Sequence, residues 1–121
     1  PVVTVWGTGT ALREFLYVDD LAEACVLIAF DDSKTQKQLF LNSNSFINVG
    51  FGKDISIKEL AYKIKKVIQY NGKIVFDTTM PDGTPRKILD STNINSLGWK
   101  PKISLDEGLR KTYRLFHKEI K

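Results

Sequence analysis

The chain opens on a β-branched run. Val2, Val3 and Val5 read as a short strand ending at Trp6, and Gly7-Thr8-Gly9-Thr10 follows as a turn or loop. Arg13-Glu14 leads into Phe15-Leu16-Tyr17-Val18, a second extended segment. Asp19 and Asp20 then stand at an N-cap, with Glu23 three residues after Asp20 in capping-box spacing. The helix from Leu21 to about Phe30 is apolar nearly all round, which predicts that it is sandwiched between layers. Cys25, one turn from both Leu21 and Ile28, is expected to be an inert buried thiol.

Asp31 to Ser45 is polar and aperiodic, mostly loop, with a brief strand over Leu39 to Leu41. Phe46-Ile47-Asn48-Val49 reads as a strand stopped by Gly50 and Gly52. Ser56-Ile57-Lys58-Glu59 is a full capping box. It opens the best helix in the chain, with Ile57, Leu60, Ala61, Ile64, Val67 and Ile68 at i, i+3, i+4, i+7, i+10 and i+11, closed by Asn71-Gly72. Lys73-Ile74-Val75-Phe76 is the next strand, and Pro81-Asp82-Gly83-Thr84-Pro85 is dense turn chemistry leading to Arg86 and Lys87. Asp90 or Ser91 caps a short helix carrying Ile94 and Leu97, with Gly98 as its stop. Ser104-Leu105-Asp106-Glu107 is another capping box. Its helix places Leu105, Leu109, Thr112, Tyr113 and Phe116 on one face and Arg110, Lys111, Arg114 and Lys118 on the rest. There is no internal repeat. Three or four helices and several short strands in this order predict a small α/β lobe.

Length makes this a single domain, residues 1–121. With 42% apolar and 26% charged residues the chain is neither disordered nor fibrous. Nothing approaches the run of about eighteen apolar residues a membrane span needs. A lone Cys25 excludes an internal disulfide and fits a reducing, cytoplasmic setting; one Cys and one His make a zinc site implausible. The net charge of +4 points weakly to anionic partners. No secretory signal precedes the first strand, and a chain starting at Pro1 in a strand reads as a fragment of a longer protein.

Most generic site patterns fail. Gly52-Lys53 is followed by Asp54 and residue 47 is Ile, so the P-loop pattern breaks twice. Neither Gly7-Thr8-Gly9 nor Gly50-Phe51-Gly52 has the third glycine of the dinucleotide fingerprint. Tyr62 and Lys66 have the Y-x-x-x-K spacing of a dehydrogenase pair, but they lie on the solvated side of their helix. His117, near the end of a basic helix, has no Ser or Cys nearby and reads as a surface residue. Two segments are richer. Trp6 and Arg13 flank a flexible turn, where an aromatic face and a guanidinium can hold a base or sugar and a phosphate. Asp82, Arg86 and Lys87 form a second polar cluster on a stiff loop. Together they suit an anionic ligand carrying hydroxyls, such as a nucleotide diphosphate sugar.

Trp6-Gly7-Thr8-Gly9-Thr10, Arg13 to Ala22, Ile47-Asn48-Val49-Gly50, Pro81 to Lys87, and Leu97-Gly98-Trp99 with Pro101 occur here in one order. In that order the chain resembles, from about Pro1 to Phe116, the C-terminal part of the GDP-L-fucose synthase family of extended short-chain dehydrogenase/reductases. The R-E-F-L-Y-V-D-D and I-N-V-G pieces recur across many nucleotide-sugar epimerases and dehydratases; the P-D-G-T-P-R-K loop is more specific to the fucose synthases. The resemblance implies a small substrate-binding lobe lacking its Rossmann domain, from an enzyme that epimerises GDP-4-keto-6-deoxy-D-mannose at C3 and C5 and reduces C4 with NADPH. It implies substrate binding by Trp6, Arg13, Asp82 and Lys87: Arg13 and Lys87 on the diphosphate, Asp82 on ribose hydroxyls, Trp6 packing on the ligand. Asp19 and Asp20 are expected to serve as helix cap and loop anchor. Ala11 stands where relatives often have Pro, which leaves the turn before Arg13 less stiff.

The cofactor loop, the catalytic Ser, the Tyr/Lys pair and the Cys and His of epimerisation are all expected upstream, so Tyr62, Lys66, Cys25 and His117 inherit no role. The chain alone is then expected neither to bind NADPH nor to catalyse, and its partners to be a GDP-sugar, the missing Rossmann domain and a second copy in a homodimer, with no nucleic acid and no membrane. Its helix faces toward the missing domain are expected to be exposed and to favour self-association. Two other readings stay open. One is another nucleotide-sugar epimerase or dehydratase acting on a UDP- or dTDP-sugar. The other is a standalone module for anionic ligands or nucleic acid, supported only by Arg110, Lys111, Arg114, Lys118 and Lys121; Tyr113 and Phe116 on the apolar stripe speak against it.

Overall fold

Strand β1 (Val2–Trp6) pairs in parallel with β4 (Lys73–Asp77), in register from Val2 opposite Lys73 to Trp6 opposite Asp77. A computed structural model of the chain describes residues 1–30, 37, 41 and 46–119. A parallel pair needs a crossover. Between the two strands run β2 (Leu12–Glu14), α1 (Val18–Phe30), β3 (Asp54–Ser56) and α2 (Ile57–Val67). Val3, Val5 and Ile74 line an apolar space with Ala61, Ile64 and Ile68 of α2, so the alternation of β1 meets the 3.6-residue period of α2.

A second sheet has the order β3-β2-β5, where β5 is Arg86–Lys87. β2 runs antiparallel to β3 and parallel to β5. Two helices complete the described chain: α3 (Thr92–Ser96) and α4 (Leu105–Glu119), which lies against α2. The core is small: Ala24, Ile94 and Trp99 are buried, with Leu16, Leu27, Ile28, Ile47 and Val49 packed around them.

The capping box of α2 is present in full. Ser56 Oγ accepts the Glu59 N–H at 3.1 Å, and Glu59 Oε2 accepts the Ser56 N–H at 3.2 Å. The box at Ser104 is half made: Ser104 Oγ accepts the Glu107 N–H, while the Glu107 carboxylate holds Lys111 at 3.0 Å. Ser91 occupies the N-cap of α3, but its hydroxyl accepts the Gly50 N–H rather than a helix donor, and Asp90 accepts the N–H and hydroxyl of Thr92. Gly98 ends that helix at φ +86°.

Several expectations are corrected. The second extended segment lies at Leu12–Glu14, where β3 and β5 supply ladder partners; Phe15, Leu16 and Tyr17 are irregular and line an apolar cavity of about 210 Å³ between α2 and α4. Helix α1 begins at Val18, so Asp19 and Asp20 sit inside its first turn and do not cap it. Asp20 is nonetheless the loop anchor: at 3% exposure, its Oδ2 accepts the N–H groups of Lys102 and Ile103 at 3.1 and 2.9 Å. Helix α1 is not sandwiched. Ala24 is fully buried, but Val26 and Phe30 are 58% and 84% exposed, and Cys25 is exposed rather than buried. Phe46 to Val49 is not a strand, because no described strand offers it a ladder; Ile47 and Val49 pack on the core by their side chains alone. Of the loop and brief strand expected over Asp31 to Ser45, the structure describes only Lys37 and Leu41, both helical; the rest lies outside the described residues.

Candidate functional site

The four candidate residues come from two segments that the fold ties together. Trp6 closes β1, Arg13 is the middle residue of β2, Asp82 lies in the turn after β4, and Lys87 ends β5. Thr8 donates its N–H to Asp82 Oδ1 at 2.9 Å and its hydroxyl to Asp82 Oδ2 at 2.6 Å. The Leu12 N–H is bonded to Pro85 O at 2.8 Å, and Arg13 Nη1 to Thr84 O at 2.7 Å. Ala11 does not leave the turn slack. It is buried, and its carbonyl accepts the Ile57 N–H, while Gly9 O accepts the Lys58 N–H.

Strand register decides which charges meet. Arg13 lies opposite both Lys87 and Ile55, so these three side chains share one face of the sheet. Glu14, Asp54 and Arg86 take the other face, where Arg86 Nε reaches Asp54 Oδ2. That contact satisfies Arg86 and holds its guanidinium above the usual range. Among the described residues no carboxylate pairs with Arg13 or Lys87, so the face is cationic and available to an anion. Trp6 is 70% exposed and offers an aromatic surface to a ligand. The Asp82 carboxyl is held below its ordinary 3.8, first by the Thr8 hydroxyl and then by the Thr8 N–H. It is ionised at neutral pH, and each oxygen already accepts one bond.

One glycine of each pair, Gly7 and Gly50, stands against a carboxylate, while Gly9 lies against Phe76 and Gly52 has φ +80° with open space around it. A Cβ on Gly7 would lie 2.3 Å from Asp82 Oδ1, and one on Gly50 would lie 2.7 Å from Glu14 Oε2. A glycine turn that admits a carboxylate is closed to a pyrophosphate by charge and by space. The described residues therefore do not fit a dinucleotide cofactor at either turn.

Glu14 is the residue that sequence reasoning missed. Its Oε1 accepts the Leu89 N–H at 2.5 Å and its Oε2 the Gly52 N–H at 3.0 Å. Gly50 is where this carboxylate comes close, but in the sequence Gly50 and Gly52 read as a strand stop, and nothing local named the approaching group. The remaining candidates lie elsewhere. Tyr62 is exposed on α2, in a groove with Lys66 and with Lys63, which is paired to Asp106 at 2.7 Å. His117 Nε2 is 2.8 Å from the Tyr113 hydroxyl on the surface of α4. No group of metal ligands occurs among the described residues, and no described helix is long and apolar enough to cross a membrane.

The model of the NAD dependent epimerase/dehydratase family matches residues 2–50. GDP-L-fucose synthase 1 of Arabidopsis thaliana is 47% identical over 118 residues, which are 98% of this chain and 34% of that protein. GDP-L-fucose synthase of Escherichia coli (strain K12) is 48% identical over 120 residues, 96% of this chain and 36% of its own length. A solved structure of the GDP-mannoheptose C4 reductase from Campylobacter jejuni, with NADP bound, superimposes with a TM-score of 0.80 at 38% identity, covering 96% of this chain and 35% of that one. The chain spans about a third of the length of these relatives. Over nearly its whole length the chain is thus similar to the C-terminal third of GDP-L-fucose synthases, and its first part matches the NAD dependent epimerase/dehydratase family.

Proposed function

We propose that the chain is the nucleotide-sugar-binding lobe of an enzyme that converts GDP-4-keto-6-deoxy-D-mannose to GDP-L-fucose by C3/C5 epimerisation and NADPH-dependent reduction at C4. The observation that carries this reading is the unneutralised pair Arg13 and Lys87 on one sheet face. Two cations on adjacent strands present separate donors to the two phosphates of a diphosphate, and the planar guanidinium can engage one of them through two N–H groups. Trp6 packs on the ligand from the end of β1. Asp82 meets ribose hydroxyls with the lone pairs that Thr8 leaves free, its charge kept by the Thr8 bonds.

The cofactor and the groups that move protons and hydride belong to a dinucleotide-binding domain outside this chain. The lobe alone neither binds NADPH nor catalyses, in keeping with the two carboxylate-filled glycine turns. A homodimer of the whole enzyme in the cytoplasm completes the proposal. A second reading keeps the GDP end and changes the sugar; the likeness to a GDP-mannoheptose reductase favours it over a change of base.

Calorimetric titration with GDP, UDP and pyrophosphate tests the phosphate claim. GDP and pyrophosphate are expected to bind, and Arg13→Ala and Lys87→Ala each to weaken both by about tenfold, the worth of one charge-assisted hydrogen bond. A folded double variant that binds pyrophosphate as the parent does would refute the assignment.

A further inference from the structure

Strand β5 pairs with β2 over two residues only, Arg86 and Lys87. So short a parallel ladder contributes little cohesion of its own. What holds it is unevenly placed. Thr8 to Asp82, Arg13 to Thr84 and Leu12 to Pro85 all act on the approach to β5, and on β5 itself Arg86 Nε reaches Asp54 Oδ2 of β3. Beyond β5 the chain is held by Glu14, through the Leu89 N–H on one oxygen and the Gly52 N–H on the other. One carboxylate at the end of β2 thus ties the strand carrying Arg13 to the exit of the strand carrying Lys87 and to the turn that enters β3.

Glu14 is adjacent to Arg13 on the strand, so it faces away from whatever Arg13 and Lys87 hold. It shares its face with Asp54 and Arg86. A negative charge there repels a phosphate on the opposite face less than it would beside the cations. Gly50 makes the position possible, since any side chain there would collide with the carboxylate.

We propose that Glu14 is a positioning residue that locks Lys87 beside Arg13, so that the two cations act on a diphosphate as one unit. This rests on the phosphate reading of Arg13 and Lys87. Its test is an NMR comparison of the chain with Glu14→Gln and Glu14→Ala, read in two ways. The first is the cross-strand Overhauser contact between residues 13 and 87 without ligand. The second is a titration with inorganic pyrophosphate followed at Arg13 Nε and Lys87 Cε.

In the parent both resonances are expected to move with one half-saturation point. In Glu14→Ala the 13–87 contact is expected to be lost and the Lys87 response to weaken by about tenfold, while the Thr8 amide on the far side of the turn keeps its shift. Glu14→Gln retains one acceptor oxygen without the charge and is expected to fall between, at about threefold. A graded order of parent, Gln and Ala at Lys87 is not what general loosening of the fold produces. Retention of both the 13–87 contact and the parent's affinity, in whichever variant folds, overturns the proposal. A parent that does not respond to pyrophosphate overturns the phosphate reading instead, and the ligand-free contact still decides the role of Glu14.

Discussion

Arg13 and Lys87 are register partners in adjacent parallel strands, 74 residues apart in the chain and on one face of a three-stranded sheet. Neither is neutralised by a carboxylate among the described residues, whereas Arg86, one residue away, is paired to Asp54. The separation follows from the two-residue period of a strand, which sends neighbours to opposite faces.

Gly83 bears directly on that pair. A Cβ at this position would stand 3.0 Å from Arg13 Nη2, and the backbone there imposes no left-handed strain. Gly83→Ala is therefore expected to push the guanidinium aside, lowering pyrophosphate affinity severalfold with an unchanged urea midpoint. Equal affinity in the two proteins would show that Arg13 is not confined by this turn.

Asp82 gives a signed pH dependence. Its carboxyl titrates below 3.8 in the folded chain, so its bonds to Thr8 contribute stability above the ordinary carboxylate pKa, and that contribution is lost as pH falls through the folded value. Thr8→Val removes the hydroxyl donor, the larger cause, and keeps the backbone N–H. Carbon NMR of the Asp82 carboxyl is expected to show a midpoint under 3.8 in the parent and one moved upward in the variant. Coincident midpoints would remove the Thr8 hydroxyl as the cause.

Asp20 tests the anchor that joins α1 to the loop before α4. Substitution by Ala leaves the part-buried Lys102 and Ile103 N–H groups without their acceptor. The expected cost is about 3 kcal/mol in urea unfolding, with Asp20→Asn intermediate because it keeps one acceptor oxygen. A loss under about 1 kcal/mol would mean that water replaces the carboxylate.

Much of this was legible in the residues. The capping box at Ser56, the strand at Lys73 and the stop at Gly98 all rest on local chemistry, and each stands where its residues place it, while the turn read over Pro81 to Pro85 closes earlier, at Asp77 to Met80. Phe46 to Val49 was misread because a strand-like composition forms a strand only beside a partner, and no described strand offers one. Helix α1 was misread for a related reason: its apolar circumference predicts layers on both sides, and the described chain covers only the side of Ala24. Trp6, Arg13, Asp82 and Lys87 were visible as types, but the meeting of Arg13 with Lys87 depends on a parallel register that local spacing does not encode. Glu14 was invisible for the same reason, since its two donors lie 38 and 75 residues away.

The exposed apolar residues carry a solution consequence. Val26 and Phe30 on α1 stand open, as do Leu115 and Phe116 on α4, and apolar groups left uncovered favour association. Sedimentation velocity is expected to show reversible self-association rising with concentration, reduced in Val26→Glu/Phe30→Glu. A strictly monomeric chain at high concentration would contradict this.

The most direct test of the central claim uses the two tryptophans, one in the proposed site and one in the core. Trp6 is exposed at the end of β1, while Trp99 is buried with Ala24 and Ile94, its Nε1 without a hydrogen-bond partner among the described residues. Their indole N–H signals are to be followed in one titration with GDP-mannose and one with UDP-glucose. A saturable shift of Trp6 with the GDP-sugar, with Trp99 unmoved and little response to the UDP-sugar, is the predicted result. No movement of Trp6 at millimolar GDP-mannose in a folded sample would contradict a nucleotide-sugar surface at Trp6, Arg13 and Lys87.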